Sequence, residues 1–398
     1  MRISTLKLLL PVAGLWFGIM SCTVTAVAPF GSERAAELEQ DEKRLWKMAS
    51  DEQEKLDRSA RLYEDPVFSE YLNEVGQRLL KGRSELKELS FRFKVVKNPL
   101  LNAFSYPNGV VYVHTGLLAK MDNEAQLAAV LAHEIVHVTH RHTLQAFRNM
   151  KNAAAFLTTL QVIGAPAGLP GAGVFVLGAI GTLAAVSGYS KGAEEEADRE
   201  GINMMIGAGY DASDAPKLFD AIKRDLEEQK ITEPFFFGTH PRLQERQESY
   251  SRLLKERAPE LPGEKCAERF AEKLLPLLLE NAQLDLAMGR FVFAEDALQK
   301  YLQHRPQSAE GHYWLAEVFR QRWKEEDKAK VEKEYLAAGQ DEPYAPAYKG
   351  LGLVYLKQGA KEKALDHFRK YLLLAPDAKD KDYIQNYLRD LVEREKLP

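Results

Sequence analysis

Cysteine is scarce in this sequence: among 398 residues only Cys22 and Cys266 occur. If Cys22 carries a lipid, as argued below, no intramolecular disulfide can form and packing must hold the fold together. A strong charge surplus is also lacking, since the formal net charge is -4. This balance gives no electrostatic case for a nucleic-acid partner. Hydrophobic residues make up 45% of the chain, which is enough for two domains with real cores.

Apolar runs long enough to span a membrane are missing as well. The short apolar run nearest the N-terminus is typical of a signal peptide. Arg2 and Lys7 precede the apolar residues 8–20, a run shorter than the ~20 residues of a membrane-spanning helix. The run ends in Ile-Met-Ser-Cys, which is similar to a bacterial lipobox. We therefore predict a lipoprotein signal peptide over residues 1–22, with Cys22 as the acylated first residue of the mature chain.

The residues after Cys22 predict where the mature protein lies. Thr23, rather than Asp, at the second mature position predicts sorting to the outer membrane and exposure to the periplasm. Residues 23–35 then form a tether. The competing interpretation is ordinary cleavage after Ala28, which Pro29 disfavours. It would leave a secreted periplasmic protein without a lipid anchor.

A second uncharged region lies between Lys151 and Lys191. Two apolar stretches, residues 153–163 and 172–186, flank a turn rich in glycine and proline at residues 164–171. Each stretch is shorter than a membrane-spanning helix, so we expect a buried helical hairpin, or one that covers the active site as a lid. Membrane contact of residues 152–190 remains the alternative.

The chemistry of the chain is indicated by the motif His133-Glu134-Ile-Val-His137. Apolar residues around it predict a half-buried helix, and Asn123 is the expected N-cap with Gln126 three residues later. On such a helix the two histidines lie one turn apart on the same face, so both imidazoles can bind one metal ion. Glu134 then lies beside them, where it can take a proton from an activated water.

A third ligand is expected in the acidic run at residues 194–198. An acidic run is usually a solvated helix face, but after this motif it supplies the carboxylate of a His2Glu site. Glu194 and Asp198 are four residues apart and share a face, whereas Glu195 and Glu196 point elsewhere. We predict Glu194 as the ligand and Asp198 as the group that orients a ligand histidine through its other ring nitrogen.

A metzincin site does not fit, because it needs Gly and a third His where this chain has His140 and Thr143. His140 shares the ligand face but lies roughly 10 Å along the helix axis from His133. We therefore expect His140 and His142 to be helix-end or rim residues rather than ligands.

Four separated motifs together resemble metallopeptidase family forty-eight, the gluzincins that include HtpX and the CAAX prenyl proteases. In chain order they are residues 102–104 with 107–113 and 116–118, the helix of His133, residues 190–198, and Thr239-His240-Pro241 with Arg246. The resemblance covers roughly residues 36–255. It implies a zincin-type fold, one Zn2+ per chain held by the three predicted ligands, and Glu134 as the general base. Lys191 departs from the family, which usually has Arg there.

The resemblance also implies roles for two residues that the pattern alone does not single out. His240 becomes an active-site histidine and Arg246 a buried or transition-state cation. His240 would either stabilise the oxyanion or bind the open zinc position in the resting state as a latch, and both roles stay open.

Beyond residue 262 the pattern changes to tetratricopeptide repeats. The clearest copy carries its signature residues at Tyr348, Leu351, Gly352, Tyr355, Ala364, Phe368 and Pro376. A second copy with a short insertion leads to Pro343, and a weaker first copy leads to Pro306. Residues 380–396 form a charged helix suited to capping the stack. Such a solenoid offers a concave face for protein partners.

These observations predict a mainly α protein with a small β-sheet around residues 91–96 and 110–114. The second of these strands is either an exposed edge, with which an extended peptide could pair, or internal to the sheet. A zinc metallopeptidase domain at residues 36–262 precedes an α-solenoid of tetratricopeptide repeats at 268–398. We expect a lipid-anchored periplasmic endopeptidase that cleaves unfolded or misassembled envelope proteins in outer-membrane quality control, with envelope assembly proteins as partners of the repeats. The alternative is a repeat-containing lipoprotein chaperone or assembly scaffold whose protease activity is latent.

Overall fold

The computed structural model describes residues 27–32, 39–59, 61–83, 86, 89–149, 189–229, 243–256 and 263–393. Within these ranges the chain is mainly helical with one small sheet, so the predicted fold class is confirmed. Cys22, residues 153–186 and His240, on which several predictions depend, lie outside the described residues.

The first part of the chain combines helices with one three-stranded sheet. Its elements are α1 (Gln40–Asp57), α2 (Pro66–Leu80), β1 (Arg92–Val96), β2 (Ala103–Ser105), β3 (Val110–His114), α3 (Thr115–Lys120), α4 (Glu124–Thr139), α5 (His142–Asn149), α6 (Lys191–Gly207), α7 (Ala215–Gln229) and α8 (Leu243–Glu256).

The sheet has the order β1-β3-β2, with β1 parallel and β2 antiparallel to β3. The two longer strands were predicted, but β2 was not, because three residues carry too little periodicity to be recognised. Gly109, at φ 92°, makes the turn between β2 and β3. β3 is central and all five of its residues are buried, so of the two alternatives for residues 110–114 the structure shows the internal strand and not the exposed edge.

Helix α4 begins as predicted, because the Asn123 side chain accepts a hydrogen bond from the Gln126 N–H at 3.0 Å. The prediction of a half-buried helix is wrong. Every residue of α4 is buried, since α2, the sheet and α6 all pack around it. A metal site on this helix is therefore built inside the domain.

The second part of the chain is a stack of helices. They are α9 (Ala267–Ala287), α10 (Phe291–His304), α11 (Ala309–Arg322), α12 (Asp327–Ala338), α13 (Ala345–Lys357), α14 (Lys361–Leu374) and α15 (Lys381–Glu393). Small residues let the helices approach: a Cβ on Gly350 would lie 2.3 Å from the Tyr335 ring, and one on Gly352 would lie 2.5 Å from Phe368. The prediction of tetratricopeptide repeats is confirmed, and α15 packs on α14 at the end of the stack.

The two parts share one core. Helix α9 packs against α2, α3 and α4, and its Leu274 belongs to the same buried cluster as Leu131 of α4. The N–H groups of Glu124 and Ala125 donate to the carbonyl of Lys265 at 3.0 and 3.3 Å. The residues that lead into α9 therefore support the N-terminal end of α4 directly.

The opposite end of α4 is covered by the N-terminal segment. The Phe30 N–H donates to the Thr139 carbonyl at 2.9 Å, and the Arg141 guanidinium donates to the Ala28 carbonyl at 3.1 Å. Arg141 also pairs with the buried Glu42 of α1. Residues 27–32, which the sequence assigned to a tether, therefore lie against the domain. None of the helices in the described ranges is both long and apolar enough to cross a membrane.

Candidate metal centre

Helices α4 and α6 bring together the three residues that the sequence predicted as ligands. The Nε2 atoms of His133 and His137 lie 2.9 Å apart. The Glu194 carboxylate lies 3.4 Å from His133 Nε2 and 3.6 Å from His137 Nε2. All three side chains are buried, with at most 3% of the residue surface exposed. Among the described residues this is the cluster of three donor groups suited to one metal ion.

The spacing of these atoms fits the bond lengths of a tetrahedral zinc ion, and their chemical types are ones that zinc binds. Tetrahedral zinc bonds of about 2.0–2.1 Å place neighbouring ligand atoms about 3.3 Å apart. The observed separations of 2.9, 3.4 and 3.6 Å bracket that value. Two imidazoles and one carboxylate are also the ligands of catalytic zinc sites that keep one position open.

Close contact between the two helices makes this geometry possible. The backbone of Gly201 on α6 faces α4, where an added Cβ would lie 3.4 Å from the His133 amide nitrogen. Ser190 caps α6 by accepting a hydrogen bond from the Ala193 N–H at 3.2 Å. The cap and the glycine hold the first turn of α6, with Glu194, against the histidines.

Asp198 lies where the sequence predicted it. Its Oδ1 atom is 3.0 Å from His133 Nδ1, and only 1% of Asp198 is exposed. A neutral imidazole that binds metal through Nε2 carries its proton on Nδ1, which can donate to this carboxylate. Asp198 can therefore set both the tautomer and the ring orientation of His133.

Glu134 is buried beside the cluster and is held by a residue that sequence reasoning missed. The Ser105 hydroxyl, on β2, donates to Glu134 Oε2 at 2.9 Å. Ser105 directly follows the Asn-Ala-Phe motif, but nothing in that spacing indicated a contact with α4. Only the sheet order, which places β2 against α4, brings the two side chains together.

His142 was predicted to be a helix-end or rim residue rather than a ligand; it is the first residue of α5, but it is buried against the cluster instead of lying at a rim. It is 2% exposed, and its Nδ1 atom lies 2.8 Å from His137 Nδ1. Its Nε2 atom is 3.1 Å from Glu196 Oε2. The hydrogen bond from His142 lowers the pKa of the Glu196 carboxyl, against the opposing effect of partial burial. Glu196 thus points away from the metal cluster, as predicted, but toward a histidine that touches it.

Two further side chains complete the described surroundings. The Tyr189 ring stacks on His137 with 3.9 Å between ring centroids, and its hydroxyl lies 3.1 Å from Thr143 Oγ1. Burial raises the pKa of Tyr189, so its hydroxyl stays protonated and can act as a hydrogen-bond donor. His140 caps the end of α4 and lies 3.9 Å from Glu196, as expected of a helix-end residue.

The remaining predicted site residues are not placed by the structure. His240 lies outside the described residues. Arg246 belongs to helix α8, but its side chain is not among those described. The roles assigned to both residues stay predictions.

Comparison with protein families agrees with the domain order. Residues 67–253 match peptidase family M48, and residues 345–378 match the tetratricopeptide repeat. The first match contains the whole described metal cluster, and the second contains the clearest predicted repeat.

Individual relatives are similar over the same part of the chain. A beta-barrel assembly-enhancing protease of Yersinia pestis is 35% identical over 190 residues, and its counterpart in Escherichia coli (strain K12) is 34% identical. Each match covers 46% of this chain and 38% of the relative. A mitochondrial metalloendopeptidase OMA1 of Schizosaccharomyces pombe is 29% identical over 211 residues, or 48% of this chain and 59% of that protein. The chain thus spans well under half of the bacterial relatives.

Proposed function

Because the chain carries a metallopeptidase domain of family M48 followed by tetratricopeptide repeats, we propose that it is a zinc endopeptidase of the bacterial periplasm. Its substrates are unfolded or misassembled envelope proteins. The observation that carries the proposal is the buried cluster of His133, His137 and Glu194 next to the Glu134 carboxylate.

The residues around the cluster divide the work of amide hydrolysis. A zinc ion held by the three ligands would supply Lewis acidity that activates water near neutral pH. Glu134 takes a proton from the attacking water and delivers it to the leaving amine. Ser105 holds the Glu134 carboxylate in place by donating a hydrogen bond to its Oε2 atom. Asp198 keeps His133 in the metal-binding tautomer.

His240, which lies outside the described residues, and Arg246, whose side chain is not described, would complete the proposed site. Both lie within the matched family region, and both are candidates for stabilising the oxyanion. A neutral imidazole is also a better zinc ligand than water, so His240 is equally suited to close the site as a latch.

The N-terminus and the relatives support the proposed location and substrates. A lipid on Cys22 would anchor the protein to the outer membrane, beside the pathway on which envelope proteins assemble. The bacterial relatives are named for enhancing beta-barrel assembly, and this supports outer-membrane proteins as substrates. The repeats would bind components of the assembly pathway through their concave face.

The decisive experiment compares Glu134→Gln with wild type. The amide has nearly the same shape but cannot accept the proton, so cleavage of unfolded, fluorescently labelled casein should fall about 10²–10⁴-fold. Zinc content, measured by mass spectrometry of the purified protein, should stay the same. Glu195→Gln is the matched control, because it makes the same change of charge at an exposed position of α6.

Two results would contradict the proposal. A Glu134→Gln protein that cleaves casein as fast as wild type would exclude the general-base mechanism. A Glu194→Ala protein that keeps its zinc would exclude the ligand set.

A further inference from the structure

The two ligand histidines are supported in different ways. His133 faces the Asp198 carboxylate directly, with 3.0 Å between its Nδ1 and Oδ1. His137 faces a second imidazole, since its Nδ1 lies 2.8 Å from His142 Nδ1. The far nitrogen of His142, Nε2, lies 3.1 Å from Glu196 Oε2. A carboxylate therefore supports each ligand, but for His137 the support passes through His142.

Proton positions follow from this chain of contacts. A neutral His137 that binds metal through Nε2 carries its proton on Nδ1 and donates it to His142 Nδ1. His142 must then accept at Nδ1, so its own proton lies on Nε2, where it donates to Glu196. Each contact determines the tautomer of the next residue. Reversing any one of them would leave two donors or two acceptors facing each other.

The backbone shows that this contact depends on a special turn. His142 is five residues after His137, a spacing that on a continuous helix does not bring two side chains onto one face. Helix α4 ends at Thr139, and Arg141 adopts a left-handed φ of 56° before α5 begins at His142. The buried pair of Arg141 with Glu42 holds this turn. As a result the His142 ring folds back onto His137.

Because His137 and His142 are buried, loss of the hydrogen bond between them should affect the metal site. His137 and His142 are 1% and 2% exposed, so water has little access to replace a lost hydrogen bond. Glu196 is partly exposed, and it also lies 3.9 Å from His140 and 3.8 Å from Arg199. It can therefore be replaced with little disturbance of the core.

We propose that His142 and Glu196 form a positioning pair that fixes the tautomer and orientation of His137 and thereby sets the metal affinity of the site. The inference rests on the proposed metal centre, and it assigns these two residues a role in metal retention without direct contact with the metal. Neither residue touches the reacting atoms.

Metal affinity, measured by competition with a chromophoric chelator for Zn2+, tests the proposal independently of peptidase activity. His142→Phe removes the acceptor and should weaken zinc binding about 10–100-fold. His142→Asn places a carbonyl oxygen near the position of Nδ1, so its zinc affinity should be within a few-fold of that of the wild type. Glu196→Ala should weaken binding about tenfold, whereas Glu195→Ala, on the exposed face of the same helix, should leave it unchanged.

The double variant distinguishes a relay from general loosening of the fold. Because Glu196 acts through His142, adding Glu196→Ala to His142→Phe should weaken zinc binding no further. Additive losses, or a Glu196→Ala protein with wild-type affinity, would overturn the positioning pair. Should His142→Phe fail to fold by circular dichroism, Glu196→Ala and His142→Asn still decide the question. A wild-type protein that binds no zinc would instead overturn the proposed function itself.

Discussion

Glu124 is a buried carboxylate at the first turn of α4, and its replacement by alanine should destabilise the whole chain. It is 0% exposed and accepts hydrogen bonds from the hydroxyls of Tyr71 at 2.9 Å and Tyr210 at 2.7 Å. Arg78 and Arg269 each lie 3.8 Å from it. These partners come from α2, from the turn after α6 and from α9, so one side chain joins the first part of the chain to the repeats.

The two tyrosines dominate the expected loss of stability. Each hydrogen bond to a charged acceptor contributes about 1.5–3 kcal/mol, and both hydroxyls would stay buried without that acceptor. The arginines contribute less, because their side chains are 31% and 46% exposed and keep Glu264 and Glu74 as partners. The truncation also removes the cost of burying a carboxylate. We therefore expect Glu124→Ala to lower the free energy of unfolding by about 3 kcal/mol.

Urea unfolding followed by both tryptophan fluorescence and far-ultraviolet circular dichroism measures this change. Glu74→Ala is the control, since it removes the exposed carboxylate that pairs with Arg269 and should cost less than about 1 kcal/mol. Glu124→Gln keeps one acceptor and should fall between the two. A loss below about 1 kcal/mol for Glu124→Ala, or one equal to that of Glu74→Ala, would refute the idea that Glu124 joins the two parts.

Three other changes test the site and its location. Asp198→Asn keeps an oxygen opposite the His133 imidazole but removes the negative charge. Zinc affinity, measured by chelator competition, should therefore fall about 10–100-fold, and an unchanged affinity would refute the orienting role. Cys22→Ser should abolish lipid attachment and change the mass of the mature protein; a mature N-terminus at Pro29 in the wild type would refute the lipoprotein prediction. His240→Ala should raise basal cleavage of casein if the residue is a latch and lower it if it stabilises the oxyanion, while an unchanged rate would exclude both roles.

Much of the site was predictable because its spacing is local to single helices. A pair of histidines four residues apart shares a face on any α-helix, and the same holds for Glu194 and Asp198. The cap at Asn123 and the turn at Gly109 are also determined by neighbouring residues. Repeats were recognisable because small and large residues recur at a fixed period, and Gly350 and Gly352 each accommodate an aromatic ring of a neighbouring helix.

Contacts between segments far apart in the chain were not predictable in this way. Sequence pattern identified β3 but not its central place in the sheet, because β2 is too short to show a period. The contact of Ser105 with Glu134 joins β2 to α4, and it depends on how the sheet packs on that helix. Likewise, the part that α9 plays in the core depends on the packing of helices more than 120 residues apart along the chain.

The sequence by itself identified the three donor residues that the fold brings together, since donor type and helical spacing are properties of short segments. Only the tertiary structure decided what holds those residues in place. The left-handed turn at Arg141 brings His142 back to His137. The packing of α6 on α4 brings Glu194 to the two ligand histidines and Glu196 to His142. The orientation of a metal-binding side chain depends on its buried neighbours. Tertiary packing brings these neighbours together, whatever their separation along the chain.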